Sequence, residues 1–255
     1  APMIGPFELN NKVIYFGQFS KGNRQGLGYQ IWPDESVYEG YWLDDKAHHY
    51  GRMIFNDGDY YEGEWAADLM DGKGVFVSMS GFTYIGEFRD NEPDGQGEEK
   101  WSNGSRYRGQ FRKGVKSGKG EFFFSNGTAY KGEFRNNKPN GNGKLVFINR
   151  NSYEGQWVDS KMEGKGTYRW KSKAKFTGSF VNNLKEGKGE LALKTGKTIV
   201  GDWSNDRMFG YFEIKLKGLV YKFRTTEDGK IPEMDLLSPE EIKLVEKLQN
   251  ETDRE

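Results

Sequence analysis

A pentad of the form Tyr-x-Gly-x-Phe/Trp returns every 23 residues without insertion or deletion, from Tyr15-Phe16-Gly17-Gln18-Phe19 to Tyr153-Glu154-Gly155-Gln156-Trp157. Two worn copies follow in phase, beginning at Phe176 and Ile199. A fixed step of this length repeats one supersecondary unit, none of which can bury its apolar face alone. Stacked units offer extended faces, so the functional question becomes which surface is used rather than which reaction is run.

Each unit carries a second mark eleven residues past the Tyr, a Gly-x-Gly such as Gly118/Gly120 or Gly141/Gly143. His49 replaces the first glycine in the second unit, and Phe212 replaces the second glycine in the ninth. Behind it runs a short alternating stretch, as in Leu145-Val146-Phe147, whose every second residue shares a face. Pairs such as Asp57-Gly58, Asn103-Gly104 and Asn126-Gly127 then predict type I′ hairpin turns, with positive φ at both central residues. Glu35, Arg150 and Lys173 fill that glycine slot elsewhere, which predicts another turn geometry or strain of roughly 1 kcal/mol. The expected unit is two short antiparallel strands, the pentad and the run after Gly-x-Gly, joined by a six-residue loop such as 135–140. Within the pentad Tyr, Gly and Phe/Trp share one face, while residues between them, Glu62 and Glu64 for example, face solvent.

The fold class that follows is all-β: an elongated single-layer antiparallel β-hairpin solenoid of about nine 23-residue units, roughly 85 Å long, with a short C-terminal capping α-helix. A hydrophobic fraction of 35% with 15% aromatics suits thin sheets held by rings better than a globule with a thick core. Gly5, Phe7 and Leu9 stand one step before Gly28, Gln30 and Trp32, so an N-terminal half-repeat is expected over 1–12 and the array over 13–216. A terminal strand and linker occupy 217–237, a helix 238–250 and a tail 251–255. Ser238-Pro239-Glu240-Glu241 starts that helix, and Ile242, Val245 and Leu248 form its apolar stripe. It reads as a cap on the last unit or as a docking helix for a partner.

Catalysis has little to stand on. The only histidines, His48 and His49, are adjacent at a repeat position, and the recurring Gly-x-Gly lacks the third glycine and the helix of a phosphate loop. Carboxylates at the outward pentad positions give way to Arg108/Gln110 and Glu154/Gln156 in other units, as on a wet surface. No catalytic residue, cofactor or metal site is expected, and with no cysteines there is neither a disulfide framework nor a thiolate site. No stretch approaches the ~20 apolar residues of a membrane span and no secretory signal is visible, which leads to a cytoplasmic expectation.

The net charge of zero hides a pattern: residues 1–110 hold 10 Lys/Arg against 18 Asp/Glu, 111–200 hold 19 against 7, and 201–255 hold 9 against 13. The asymmetry suggests an electrostatic partner for the middle units.

Tyr-x-Gly-x-Trp/Phe, a variable loop with Asn, Asp and Lys, and then Gly-x-Gly on a 23-residue step resembles the MORN repeat (membrane occupation and recognition nexus), best in Tyr130 to Gly143. The likeness covers roughly residues 5–216 and leaves out the tail after about 218. It implies a hairpin array without chemistry of its own, of the repeat-only kind found among cytoskeletal scaffolds and the radial-spoke heads of cilia. The implied role is a scaffold or adaptor in a cytoskeletal assembly, a cilium or axoneme by family analogy.

Two binding surfaces are expected. An aromatic groove of Tyr38, Trp42, Tyr61, Trp65, Tyr84, Phe88, Tyr107, Phe111, Tyr130, Phe134, Tyr153 and Trp157, with ring rims and Tyr hydroxyls accessible, would take a partner helix or a second copy of the chain. A basic edge of Arg112, Lys113, Lys116, Lys119, Lys138, Lys161, Lys165, Lys171, Lys173 and Lys175 would meet an acidic protein segment or, as the alternative reading, anionic phospholipid. Nucleic acid is not expected of a neutral chain whose rings are committed to the sheet.

Overall fold

The computed structural model describes residues 2–226, 230–232, 234 and 236–250, and the chain divides into two compact units, 1–125 and 126–255. The tail expected at 251–255 lies outside the described residues. The first unit contains β1 (Ile4–Glu8), β2 (Ile14–Ser20), β3 (Asn23–Ile31), β4 (Val37–Leu43), β5 (Lys46–Ile54), β6 (Tyr60–Ala66), β7 (Leu69–Val77), β8 (Thr83–Arg89), β9 (Glu92–Lys100), β10 (Arg106–Arg112) and β11 (Val115–Phe123). The second contains β12 (Ala129–Arg135), β13 (Lys138–Val146), β14 (Ser152–Val158), β15 (Lys161–Arg169), β16 (Lys175–Val181), β17 (Leu184–Ala192), β18 (Thr198–Ser204), β19 (Arg207–Leu216), β20 (Leu219–Arg224) and α1 (Pro239–Asn250). Within each unit every strand pairs antiparallel with the next in sequence, giving one open single-layer sheet.

The two kinds of turn are exchanged relative to the sequence reading. The six-residue loop expected at 135–140 is a two-residue turn, with Asn136 at φ 49° and Asn137 at φ 67°; Asp44/Asp45 and Asn182/Asn183 do the same. Consecutive left-handed residues make a type I′ turn, which Asn and Asp tolerate because their short side chains hydrogen-bond locally. At Asp57-Gly58 only the glycine is left-handed, and the Phe55 carbonyl accepts the Gly58 N–H at 3.0 Å while its own N–H donates to the Asp59 carbonyl at 2.8 Å. That is a three-residue loop with a glycine bulge, not type I′. Glu35, Arg150 and Lys173 hold the same left-handed position at φ 70°, 71° and 71°, so these sites carry the strain instead of changing geometry.

Gly-x-Gly lies inside its strand instead of opening it. Its first glycine is a bulge, with Gly118 at φ 63° and a register slip between Gly109 and Phe111 on the facing strand. The fourth pentad residue folds over that bulge: the Gln110 Oε1 accepts the Lys119 N–H at 2.8 Å, and the Glu133 Oε1 accepts that of Asn142 at 3.2 Å. These positions, read from sequence as wet surface, close the backbone. In the second repeat the bulge residue is His49, at φ 58°, and the fourth pentad residue is Tyr41, whose ring stacks on the imidazole at 4.7 Å.

The second glycine and the pentad glycine make room for one ring. Tyr107 lies across both, so that a Cβ on Gly109 would sit 2.5 Å from its hydroxyl oxygen and one on Gly120 would sit 2.6 Å from its Cε2. The ninth repeat inverts the arrangement: Ile199 stands where the Tyr should be, Phe212 replaces the glycine, and the Phe212 Cε1 lies 2.5 Å from where a Gly201 Cβ would be. One ring crosses each repeat, from whichever strand supplies it.

A candidate protein-binding groove

The crossing rings meet edge to face along the inner side of each sheet. In the first unit Tyr38 meets Trp65 at 5.2 Å and Tyr84 meets Phe111 at 5.1 Å; in the second Tyr130 meets Trp157 at 5.3 Å and Tyr153 meets Phe180 at 4.9 Å. T-shaped pairs set the negative ring face against the positive edge, which makes each contact worth about 1 kcal/mol beyond burial.

This floor corrects the expected groove. Tyr38, Trp42, Tyr61, Trp65, Tyr84, Phe88, Tyr107, Phe111, Tyr130, Phe134, Tyr153 and Trp157 are all buried. Their tyrosine hydroxyls are used internally, each donating to the carbonyl three residues on, as Tyr61 does to Glu64 at 2.8 Å and Tyr130 to Glu133 at 3.0 Å. Burial pushes the hydroxyls of Tyr38, Tyr61, Tyr84, Tyr107, Tyr130 and Tyr153 far above the usual phenol range. The edge of each ring is met by the ring of the next repeat, so the row is a packed floor and not an open groove.

What a partner would meet is the layer above the floor. The residue nine past each Tyr rises beside it: Arg24, Ala47, Met70, Pro93 and Lys116 in the first unit, and Pro139, Met162, Lys185 and Met208 in the second. Its backbone is clasped by the next repeat's turn. The Ala47 N–H donates to Asp68 Oδ1 at 2.7 Å and the Asp68 N–H returns to the Ala47 carbonyl at 3.0 Å, a pattern repeated by Met70 with Asn91 and Met162 with Asn183. A line of tilted rings forms the opposite wall of the first unit, with Phe55 to Phe76 at 6.4 Å and Phe82 to Trp101 at 6.0 Å. Between the walls lies a hollow of about 500 Å³ bordered by Trp32, Met53, Phe55 and Met70 over Trp42 and Trp65, with Asp45, Asp68 and Asn91 on one rim. Its wall residues Trp32, Met53, Phe55 and Met70 are half-buried.

The corresponding groove of the second unit is filled by the chain's own helix. Val245 and Leu248 of α1 are buried, and the Lys185 Nζ donates to the Leu248 carbonyl at 3.1 Å and to Asp206 Oδ1 at 3.3 Å. Lys185 also lies 5.7 Å from the Trp203 ring centroid and 5.5 Å from that of Trp170. At the last rung, where the next turn would clasp Met208, the Gln249 Oε1 of α1 accepts the Met208 N–H at 2.9 Å. The helix start is a capping box: Ser238 Oγ accepts the Glu241 N–H at 3.2 Å and Glu241 Oε2 accepts the Ser238 N–H at 2.9 Å. Glu241 is also tied to the sheet by Lys197 Nζ at 2.6 Å and Thr195 Oγ1 at 2.9 Å.

The basic edge does not assemble as one surface. Lys116 is buried beside Trp101 and Tyr107 and ion-paired to Glu99, so it belongs to the groove layer. Arg112 ends β10, Lys113 is itself a left-handed residue of the following two-residue turn, and Lys119 stands in mid-strand. In the second unit Lys138 and Lys161 open strands next to the two-residue turns, while Lys171, Lys173 and Lys175 stand at the other end of the hairpins. Lys165 projects from mid-strand, its Nζ donating to Ser179 Oγ at 2.8 Å. The cause is the repeat itself, which sends residues of different phase to different edges.

Among the described residues no group of three or more His, Cys, Asp or Glu could hold a metal ion, and no helix is long and apolar enough to cross a membrane. His48 and His49 contact one another, Nδ1 to Nδ1 at 2.8 Å, with Tyr41 stacked on the second. The position nine past each Tyr and the clasping Asp or Asn escaped the sequence reading, although both recur on the 23-residue step.

The MORN repeat family model matches residues 15–37, 38–60, 61–83, 84–106, 107–129, 130–152, 153–175 and 176–198 without a gap. No curated protein matches the sequence. Among solved structures, the chain is similar to the TCP10 domain of Danio rerio CPAP in complex with a peptide of Danio rerio STIL, at 13% identity, 84% coverage of this chain, 99% of that one and a TM-score of 0.46. It is also similar to the TCP domain of Drosophila melanogaster SAS-4 in complex with a proline-rich motif of Ana2, at 14% identity, 70% and 85% coverage and a TM-score of 0.34. Likeness of this degree says nothing about partner or activity.

Proposed function

The chain belongs to the MORN-repeat family, and from that premise we propose that it is a non-catalytic scaffold whose open groove in the first unit receives an amphipathic helical segment of another protein. The observation that carries this reading is α1 in the second unit. A helix with Val245 and Leu248 on its buried side fits the same floor of rings, takes a hydrogen bond from the groove's Lys185 and substitutes Gln249 for a clasping turn. The first unit has the floor, the ring wall and the 500 Å³ hollow, with nothing of the chain's own laid over Met53, Phe55 and Met70 among the described residues. Helix-in-groove recognition reads a partner by apolar anchors at i, i+3 or i+4 and i+7, which suits a trough of half-buried Met and Phe. On the rim Asp45 is already paired with Arg24 at 3.2 Å, and Asp68 is the carboxylate that favours a flanking Lys or Arg on that helix. The setting we assign is cytoplasmic and cytoskeletal, with a cilium or axoneme as the family analogy suggests.

Affinity capture from the native cells, followed by mass spectrometry, tests this with the wild-type chain and a Phe55→Glu variant whose folding is checked by circular dichroism. The expected result is a defined set of proteins lost on Phe55→Glu. A folded variant that recovers every wild-type partner would place binding elsewhere.

A further inference from the structure

The hollow of the first unit and the seat of α1 in the second stand at the same place in the repeat. Seven steps of 23 residues carry Arg24 to Lys185, Trp32 to Leu193, Asp45 to Asp206 and Met53 to Ile214. The contacts follow the register: Arg24 and Lys185 each donate the backbone N–H to the aspartate Oδ1 at 2.8 Å and accept that aspartate's N–H at 3.2 and 3.1 Å. Each cation then folds onto the equivalent two rings. Arg24 lies 4.1 Å from the Trp42 centroid and 5.9 Å from that of Tyr15, and Lys185 lies 5.7 Å from Trp203 and 5.9 Å from Phe176. What differs is the cover: Lys185, Leu193, Asp206 and Ile214 are buried, whereas Trp32 and Met53 are half-buried and the Asp45 side chain is 48% exposed.

The way α1 lies shows what such a seat takes. It runs from the loop edge, where Thr195 and Lys197 hold Glu241 of its first turn, to the rung edge, where Lys185 meets its Leu248 carbonyl. In the first unit the loop-edge positions are Asp34 and Ser36, and the rung cation is Arg24. Building on the open groove as a dock, we propose that the hollow seats a helix of about 12 residues from another protein in the orientation of α1, its first turn against Asp34 and its last carbonyls against Arg24, with Lys or Arg in that turn where α1 carries Glu240 and Glu241. Both ends are then matched, a carboxylate to the positive N-terminal end of the helix dipole and a guanidinium to the negative C-terminal end. Among the described residues, three of the five N–H groups of Arg24 go to Asp45 Oδ1, the Asp45 carbonyl and Gln30 Oε1, which leaves two for helix carbonyls. The Ala47 N–H already has Asp68, so the bound helix needs no counterpart of Gln249. The α1 of a second copy is the wrong occupant, because its Glu240 and Glu241 would meet Asp34 and Glu35.

Two peptides spanning residues 238–249 test the inference, the natural sequence and its Glu240→Lys/Glu241→Lys variant, each held helical by a side-chain link between the exposed positions 243 and 247. Titrated into the full chain and followed by fluorescence anisotropy, the Lys peptide is expected to bind at least ~10-fold tighter than the natural one. Asp34→Lys should reverse that order, and Asp159→Lys, an exposed turn position of the second unit, should leave it unchanged. Arg24→Met, which puts at this rung the residue found at Met70 and Met162, should weaken both peptides by ~10-fold, and Phe55→Glu should abolish binding of either. Circular dichroism confirms that each variant is folded. A Lys peptide that does not bind below about 1 mM overturns the inference, and so does a preference that survives Asp34→Lys. Cellular partners lost on Phe55→Glu with no reversal at Asp34 would keep the groove as a dock and discard this orientation, whereas reversal at Asp34 with every partner kept on Phe55→Glu would uphold the seat and discard the groove as the cellular dock.

Discussion

The grooves over Tyr38 to Phe111 and over Phe176 to Phe212 stand on the same floor of crossing rings, yet they end differently. In the first a half-buried layer of Trp32, Met53, Phe55 and Met70 borders a hollow; in the second Lys185 is 0% exposed, Asp206 is 1% exposed and α1 lies over them. The floor therefore sets the fold while the residue nine past each Tyr, together with whatever lies above it, sets the use. Where that residue is Lys185 the groove holds an ammonium that needs a carboxylate and a helix carbonyl; where it is Ala47 or Met70 the groove stays apolar.

The largest effect separating the grooves should come from Asp206→Ala. It leaves the Lys185 ammonium inside the second unit with its carboxylate gone, and removing one partner of a buried pair costs about 3–5 kcal/mol. Glu99→Ala, the matching change beside Lys116, should cost less, because that pair's side chains keep 11% and 12% exposure and water can reach the ammonium. Urea denaturation followed by tryptophan fluorescence measures both, and equal losses would break the distinction between covered and open grooves.

The shared floor predicts the opposite pattern, equality. Gly120→Ala pushes a methyl into Tyr107 in the first unit and Gly189→Ala pushes one into Phe176 in the second. Each should destabilise by about 1–3 kcal/mol, the range for overpacked interiors. A large difference between them in the same urea experiment would show that the tyrosine hydroxyl, which Phe176 lacks, matters more than ring volume.

The rings and glycines were legible because both sit on one period, and a period of 23 with internal alternation leaves few folds. The turns were misassigned for a physical reason: Asn126-Gly127 looks like a type I′ pair, but with only Gly127 left-handed it is a bulged loop, while the true type I′ turns are Asn136-Asn137 and Asp44-Asp45, which carry no glycine at all. Accessibility of the rings was not legible either, since the burial of Tyr38 depends on where Trp65, 27 residues away, comes to rest. The stripe Ile242, Val245, Leu248 announced a helix, but its seat depends on Gln249 reaching Met208 across 41 residues of sequence. Local patterns fix local geometry; the use of a groove is a long-range contact.

Acid should release α1 and leave the open groove untouched. Burial raises the Glu241 carboxyl pKa, but hydrogen bonds from Lys197, Ser238 and Thr195 outweigh it and hold the group below its ordinary 4.5. A depressed folded value means the contribution is complete above that ordinary value and is lost as pH falls through the folded one. The loss should be of the order of 1 kcal/mol, as for a charge-assisted hydrogen bond. Hydrogen exchange of residues 239–249, measured from pH 6 down to about pH 3, should show α1 losing protection before the strands of either unit. Simultaneous loss along the chain would mean that the helix is not a separable cover.

The smallest change in stability should carry the clearest change in binding. Met70→Lys gives the open groove the residue found at Lys116 and Lys185, at a position that already accepts Arg24, Ala47 and Pro93. The backbone clasp to Asn91 uses only the N–H and carbonyl of residue 70, so the ladder is unaffected and the unfolding free energy should change by no more than about 0.5 kcal/mol. The hollow, however, loses an apolar wall and gains a hydrated ammonium that a partner's apolar anchor would have to desolvate, which should weaken binding by at least ~10-fold. Quantitative capture of the proteins that Phe55→Glu loses reads this directly. Full capture by Met70→Lys would move the partner off the groove, whereas an unfolding free energy lowered by more than about 1 kcal/mol would show that the position nine past the Tyr is part of the floor after all.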